Sequence, residues 1–160
     1  MSATGCDICE RNSRSERGEN PFTVARTTTG YVNLGDVQYH DGYTIFSARQ
    51  CVKELHELEV SERDAPLREM AAIAEAVFRA FRPRKLNYEL LGNGSPHLHW
   101  HLFPRHADDP APTGPVWEDR RFLEALAAGL APAPEQLKRL RRSLLSALDG
   151  VDLSIERRFP

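Results

Sequence analysis

Long hydrophobic runs are missing from this chain of 160 residues: no window of about 18 apolar residues is there to span a bilayer. The opening stretch, Met1 to Asn20, is polar and charged and lacks the apolar core of a secretory leader, so a cytoplasmic setting without membrane is expected. Excess charge of one sign is missing too. Lys and Arg number 21 against 23 Asp and Glu, a net charge of −2, so the chain is no electrostatic magnet for nucleic acid. Cysteine is sparse, and three at uneven spacing do not make a disulfide framework; in a reducing compartment they point to metal or free thiols. Internal repeats and low-complexity tracts are also lacking. The length suits one domain with a real core and room for an appended terminal element.

The richest stretch is Ser95-Pro96-His97-Leu98-His99-Trp100-His101-Leu102-Phe103-Pro104-Arg105, which holds three of the six histidines on alternate residues. In an extended strand, alternate side chains share a face, so His97, His99 and His101 line one side. Leu98, Trp100 and Leu102 then point into whatever packs behind the sheet. Three imidazoles in a row bind a metal, contact phosphate or supply a nucleophile, and they fill a core poorly.

Around that stretch the punctuation is regular. Arg11 to Asn20 reads as a loop after a cysteine knuckle, and Phe22–Arg26, Gly30–Leu34 and Tyr43–Ala48 read as strands, the last after an Asp41-Gly42 turn. Cys51–Leu58 has the apolar spacing of one or two helical turns. Ser61 with Asp64 resembles a capping box for a helix that runs through Leu67, Ile73, Val77 and Phe81 to Pro83. Leu86–Leu91, a sharp Gly92-Asn93-Gly94 turn and His97–Phe103 read as an antiparallel hairpin. Arg120–Gly129 and Pro134–Leu148 read as two more helices, while Asp149–Pro160 is a mixed tail without a clear pattern.

Cys6-Asp7-Ile8-Cys9 has the spacing at which two thiolates grip one ion, a spacing that redox pairs also use. The strand–helix frame of a redox pair is missing around it. Asn93-Gly94-Ser95 offers backbone N–H groups and a hydroxyl to a phosphate, and also reads as a plain turn. Arg105 reads as a phosphate contact or a solvated charge, and Trp117 as a base-stacking, dimer-contact or packing residue. His40, His56 and His106 read as surface residues, His106 least securely because it lies just past the motif strand.

Taken together, the triad His97-Leu98-His99-Trp100-His101-Leu102-Phe103, the Cys pair and Gly42-Tyr43-Thr44 resemble the histidine-triad (HIT) superfamily of nucleotide hydrolases and transferases. The likeness covers roughly Cys6 to Trp117, and the wording around Pro104-Arg105 and Pro115-Val116-Trp117 is similar to a bacterial branch often labelled diadenosine tetraphosphate hydrolase. The resemblance implies an α+β, HIT-like fold, an antiparallel sheet of about five strands flanked by helices, with extra C-terminal helices. Residues 1–117 would be the catalytic domain with its zinc knuckle, and 118–160 a helical extension packed on it.

In that family the middle histidine, here His99, attacks the α-phosphorus to give a nucleotidyl-histidine, and His101 assists. Histidine suits the task because an unperturbed pKa of about 6.5 leaves it largely neutral near pH 7. Asn93, Gly94, Ser95, Arg105 and Trp117 would contact substrate, with Asn33 or Asp36 near the ribose hydroxyls. Tyr43 departs from the better-known pattern, where a further histidine often follows the glycine. Zinc-containing relatives complete their metal site with a histidine after the strand that glycine opens and with the first triad histidine; nine residues past Gly42 this chain has Cys51 where relatives tend to carry that histidine. The implied site is a closed, structural Zn2+ tetrahedron of Cys6, Cys9, Cys51 and His97. Mg2+ accompanying the substrate, an AMP-containing polyphosphate as substrate and a homodimer are further expectations. Two other readings compete: a metalloenzyme whose three triad histidines share a catalytic ion, and a non-catalytic nucleotide-binding protein. The first leaves the thiols unexplained; the histidine at position 99 argues against the second.

Overall fold

The computed structural model describes residues 5–160. Six strands form one antiparallel sheet in the order β4-β5-β3-β2-β1-β6: β1 (Thr23–Thr27), β2 (Gly30–Leu34), β3 (Thr44–Ala48), β4 (Lys85–Glu89), β5 (His99–Arg105) and β6 (Ile155–Arg158). The helices are α1 (Asp7–Glu16), α2 (Asp64–Phe81), α3 (Arg120–Ala127) and α4 (Pro134–Leu148). This is the expected α+β class. Among the described residues no helix is long and apolar enough to cross a membrane.

Alternation along the strands divides the sheet into two faces. Val32, Phe46, Leu98, Trp100 and Leu102 pack against Ile73, Ala74 and Val77 of α2 and Leu140, Leu144 and Leu148 of α4. The opposite face carries His99 and His101, with a smaller cluster of Tyr43, Phe103, Val116 and Phe122. Gly42 makes the entry to β3 with φ +90°, where a side chain would also collide with Phe81. Gly35 is bare for a different reason: a Cβ there would lie 2.1 Å from the Tyr43 ring, which needs that space.

Four local expectations are corrected. Asp7–Glu16 is a helix where a loop was expected over Arg11 to Asn20, because its buried face includes the polar Asn12 and Ser15 and so escapes a hydrophobic-periodicity reading. Asn12 Nδ2 donates to Ala48 O at 3.0 Å, and Ser15 Oγ and Thr23 Oγ1 share a bond of 2.7 Å. Ser61 does not cap α2: it sits in a 3-10 turn, Val60–Glu62, and α2 starts at Asp64 behind Arg63. Arg82 ends α2 in the left-handed region (φ 47°), as the following Pro83 disfavours a further helical residue. The turn at 92–94 is no tight hairpin either. Residues 90–98 connect β4 to β5, since Leu98 leaves the hairpin to bond Val52 O (2.7 Å) and receive Ala48 N–H (2.9 Å). The unpatterned tail supplies β6, paired with β1; a short, arginine-bearing edge strand has little apolar alternation to read.

Candidate active site and metal centre

Cys6 and Cys9 flank the first turn of α1, and Cys6 Sγ accepts the Cys9 backbone N–H at 3.4 Å as the helix cap. His97 Nδ1 lies 3.4 Å from Cys6 Sγ and 3.6 Å from Cys9 Sγ. Cys51, just past β3, completes the group, whose four ligand atoms all lie within 4.8 Å of one another. Zinc–sulfur bonds of about 2.3 Å place tetrahedral ligands roughly 3.8 Å apart, so the group needs only a small contraction to close on an ion. His97 Nε2 donates to Ala48 O at 2.8 Å, which leaves the Nδ1 lone pair facing the thiols. Burial, and then the Cys51 and Cys6 thiols, push the Cys9 thiol up to about 12. Such crowding is relieved by a cation. Among the described residues this is the only group of three or more such side chains close enough to share an ion, so Mg2+ has no comparable cluster.

His97 turns toward the thiols and His99 and His101 do not join it, so three histidines sharing one ion is not the arrangement found. His99 Nδ1 lies 2.6 Å from His97 O, which only an N–H can satisfy, so in the neutral ring the lone pair is on Nε2. His101 Nε2 is 3.0 Å from that atom and supplies the proton between them. His101 Nδ1 then accepts from the Tyr43 hydroxyl at 2.6 Å. Burial pushes the Tyr43 phenol far up, so it remains a donor. Burial and then the charge on His99 push His101 down to about 4, keeping it neutral near pH 7. The chain Tyr43–His101–His99–His97 carbonyl is thus polarised in one direction. It ends at His99, whose Nε2 is held by a hydrogen bond a ligand can replace.

A cavity of about 730 Å³ opens over this pair, lined by α1 (Asp7, Ile8, Arg11), the 92–95 turn, Asp36, Tyr43, Trp117 and Leu126. Ser95 Oγ donates to Asp7 Oδ2 at 2.7 Å, joining the turn to the cysteine helix. Asp36 takes a two-pronged pair from Arg11, at 2.7 and 2.8 Å. The cavity therefore brings Asn93, Gly94, Ser95, His99, His101 and Trp117 together. Asp7, Arg11 and Leu126 were missed by sequence reasoning; Asp7 and Arg11 belong to a helix that the pattern did not reveal.

Two expected contacts lie elsewhere. Asn33 is fully buried, its Oδ1 accepting from Thr23 Oγ1 (2.9 Å) and Asn20 Nδ2 (3.2 Å), and it does not line the cavity; Asp36 does. Arg105 is buried and holds the following loop, bonding Asp109, Ala111 O, Asn87 Oδ1 (2.9 Å) and Gly114 O (2.8 Å). Trp117 packs edge-on to His101 with centroids 5.7 Å apart and donates its N–H to Glu89. His56 is exposed as expected and His106 is half-buried, but His40 is not a surface residue. It is 5% exposed, enclosed by Tyr39, Phe103 and Phe122, because the 39–41 loop folds under α3.

Residues 39–108 match the HIT domain family. No curated protein matches the sequence. A histidine triad protein from Marinobacter aquaeolei VT8 is similar over 91% of this chain and 98% of its own, at 24% identity and a TM-score of 0.68. A hypothetical histidine triad nucleotide-binding protein from Sulfolobus tokodaii has 13% identity, coverage of 89% and 93%, and a TM-score of 0.66. A Zn-bound histidine triad family protein from Mycobacterium smegmatis has 17% identity, coverage of 91% and 94%, and a TM-score of 0.60. Residues 39–108 therefore match the HIT domain family, and the chain around them has the histidine-triad fold.

Proposed function

We propose that this protein is a nucleotide hydrolase or nucleotidyl transferase acting at the α-phosphate of an adenylylated or dinucleoside polyphosphate substrate, through a nucleotidyl-histidine. The observation that carries the reading is the orientation of His99, whose Nδ1 is tied to His97 O at 2.6 Å so that Nε2 faces His101 at the cavity. His101 Nε2–H is placed to hydrogen-bond the group that departs, and Tyr43 holds that tautomer. Asn93, Gly94 and Ser95 would cradle the phosphate, with Asp36 rather than the buried Asn33 available to the ribose. The diadenosine tetraphosphate hydrolase-like branch is part of this proposal, as is Trp117 as a cavity wall. Arg105 acts through the loop it holds.

Cys6, Cys9, Cys51 and His97 would hold a structural Zn2+, which supplies rigidity and no open coordination position. Residues 1–117 form the proposed catalytic unit; 118–160 extend it, with α4 on α2 and β6 on β1, and α3 lends Leu126 to the cavity. The proposed homodimer has an available edge in β4, which ends the sheet with Tyr88 exposed and Leu90 following it. Sedimentation tests that state.

The deciding experiment mixes the protein with dinucleoside polyphosphates and AMP esters, with and without inorganic phosphate, and identifies the products. A phosphoramidate intermediate survives an alkaline quench and is lost in acid, so labelled nucleotide should stay on the protein only in alkali. AMP should also raise the melting temperature in a concentration-dependent way. No AMP release from any substrate, with no thermal shift, rejects the reading.

A further inference from the structure

The cavity over the histidine pair has two unlike ends. At the end toward α1 and β2, Asp7, Glu10, Arg11 and Arg14 line it together with Asp36, which Arg11 bonds. At the end toward β4 the lining is Trp117, which lies against His101 and bonds Glu89, and Leu91, which follows β4, with Leu126 of α3 completing it. Leu91 and Leu126 are 50% and 43% exposed, so this end is an open apolar surface rather than core.

Three observations make the apolar end hostile to anions. Among the described residues no Lys or Arg lines it. The one N–H on its aromatic wall, that of Trp117, is already given to Glu89, whose carboxyl group therefore sits behind the wall. Arg105, the strand's own arginine, has its guanidinium bonded to Asp109, Asn87 and two backbone carbonyls. A polyphosphate placed there would surrender its hydration without gaining a partner, the arrangement by which a site discriminates through a missing contact.

His101 sets which end receives the departing group, because its Nε2–H is the donor nearest the nucleophile and Trp117 lies against its ring. We propose that the group expelled from the α-phosphate is an uncharged, apolar alcohol or phenol seated on Trp117 and Leu126, in preference to a polyphosphate. The proposal rests on the nucleotidyl-histidine reading, narrows its substrate class to adenylyl esters and sets aside its dinucleoside polyphosphate arm. The His99 Nε2 lone pair forms the N–P bond while the P–O bond breaks, and the leaving oxygen keeps that bond's electron pair. It accepts the His101 hydrogen bond and takes a proton from solvent. Water then attacks phosphorus, the N–P pair returns to Nε2, and the water proton lost to solvent replaces the one the leaving group took.

The test compares kcat/KM for the 4-nitrophenyl ester of AMP and for a dinucleoside tetraphosphate, in the parent, Leu126→Lys, Leu91→Lys and Leu126→Gln. Both leucines are partly exposed, so the lysine variants should fold, which circular dichroism verifies. A lysine at either position should move the ratio toward the tetraphosphate by about tenfold or more, while Leu126→Gln moves it about threefold or less. The parent should show the lower KM for the aryl ester. A lower parent KM for the tetraphosphate, or a ratio unmoved within about twofold by both lysines, overturns the proposal while AMP release keeps the nucleotidyl reading standing. Release of AMP from neither substrate by folded protein overturns that reading, and the present proposal with it.

Discussion

His97 and His99 stand two residues apart on one face of the same run, yet opposite ring nitrogens of the two are tied to the backbone. The carbonyl of Ala48 takes the Nε2 proton of His97 and turns its Nδ1 to two thiols. The carbonyl of His97 takes the Nδ1 proton of His99 and leaves its Nε2 for the cavity. A backbone carbonyl presented to opposite ring nitrogens, Ala48 O to His97 Nε2 and His97 O to His99 Nδ1, separates the proposed metal ligand from the proposed nucleophile. The difference teaches that the backbone acceptor, not residue type, decides which ring nitrogen each histidine presents, and so the duties proposed for it.

The comparison breaks most sharply at the nucleophile. His99→Ala or His99→Asn should cut turnover by about a thousandfold or more while melting and metal content stay near the parent's. A residual activity within a few-fold, measured by AMP release, rejects the assignment. Cys9→Ser or a strong chelator should do the reverse, lowering global stability by about 3 kcal/mol or more, because metal binding free energy is folding free energy. Metal analysis of protein purified without added zinc should give one zinc per chain; far less, with melting unchanged by chelator, removes the site.

Next in size is Tyr43→Phe, which deletes the hydroxyl on His101 Nδ1 and keeps the ring stacked on Phe103. Loss of a buried donor of this kind costs about 1–3 kcal/mol, so turnover should fall roughly tenfold to a hundredfold with little change in AMP affinity. The pH response sharpens the same point. Burial holds folded His101 down at about 4, against an unfolded value near 6.5, so between those limits the unfolded chain binds more protons. Its contribution to stability is therefore fully present above the unfolded value and declines as pH falls through the window to about 4. Urea unfolding at pH 7.5 and 5 should show a steeper loss in the parent than in His101→Asn; equal losses reject a neutral, buried His101.

The smallest effect is expected where the two regions meet, at the 2.7 Å bond from Ser95 to Asp7. Asp7→Ala or Ser95→Ala should weaken AMP binding a few-fold and shift stability by less than about 0.5 kcal/mol, as an exposed bond allows. A null result in AMP titration would separate the cysteine helix from the phosphate turn.

Much of this was legible before folding. Alternation from Leu98 to Phe103 placed the histidines opposite Leu98, Trp100 and Leu102, and the 3.6-residue period found α2 and α4 close to their actual limits. The Cys-x-x-Cys spacing, with the family likeness, pointed to the four side chains that do converge. These are properties of short-range geometry: two residues per strand repeat, three to four per helical turn, and a two-residue gap between thiols. What only the tertiary structure decided depends on groups distant in the chain. α1 stayed hidden because Asn12 and Ser15 are buried through hydrogen bonds to Ala48 and Thr23, a reason no hydrophobic pattern carries. Arg105 could not be distinguished from a phosphate ligand until Asp109, Asn87 and two carbonyls enclosed it. The tautomers of the histidines came last, since a proton's place on an imidazole is set by whichever acceptor the folded backbone brings to within hydrogen-bond distance.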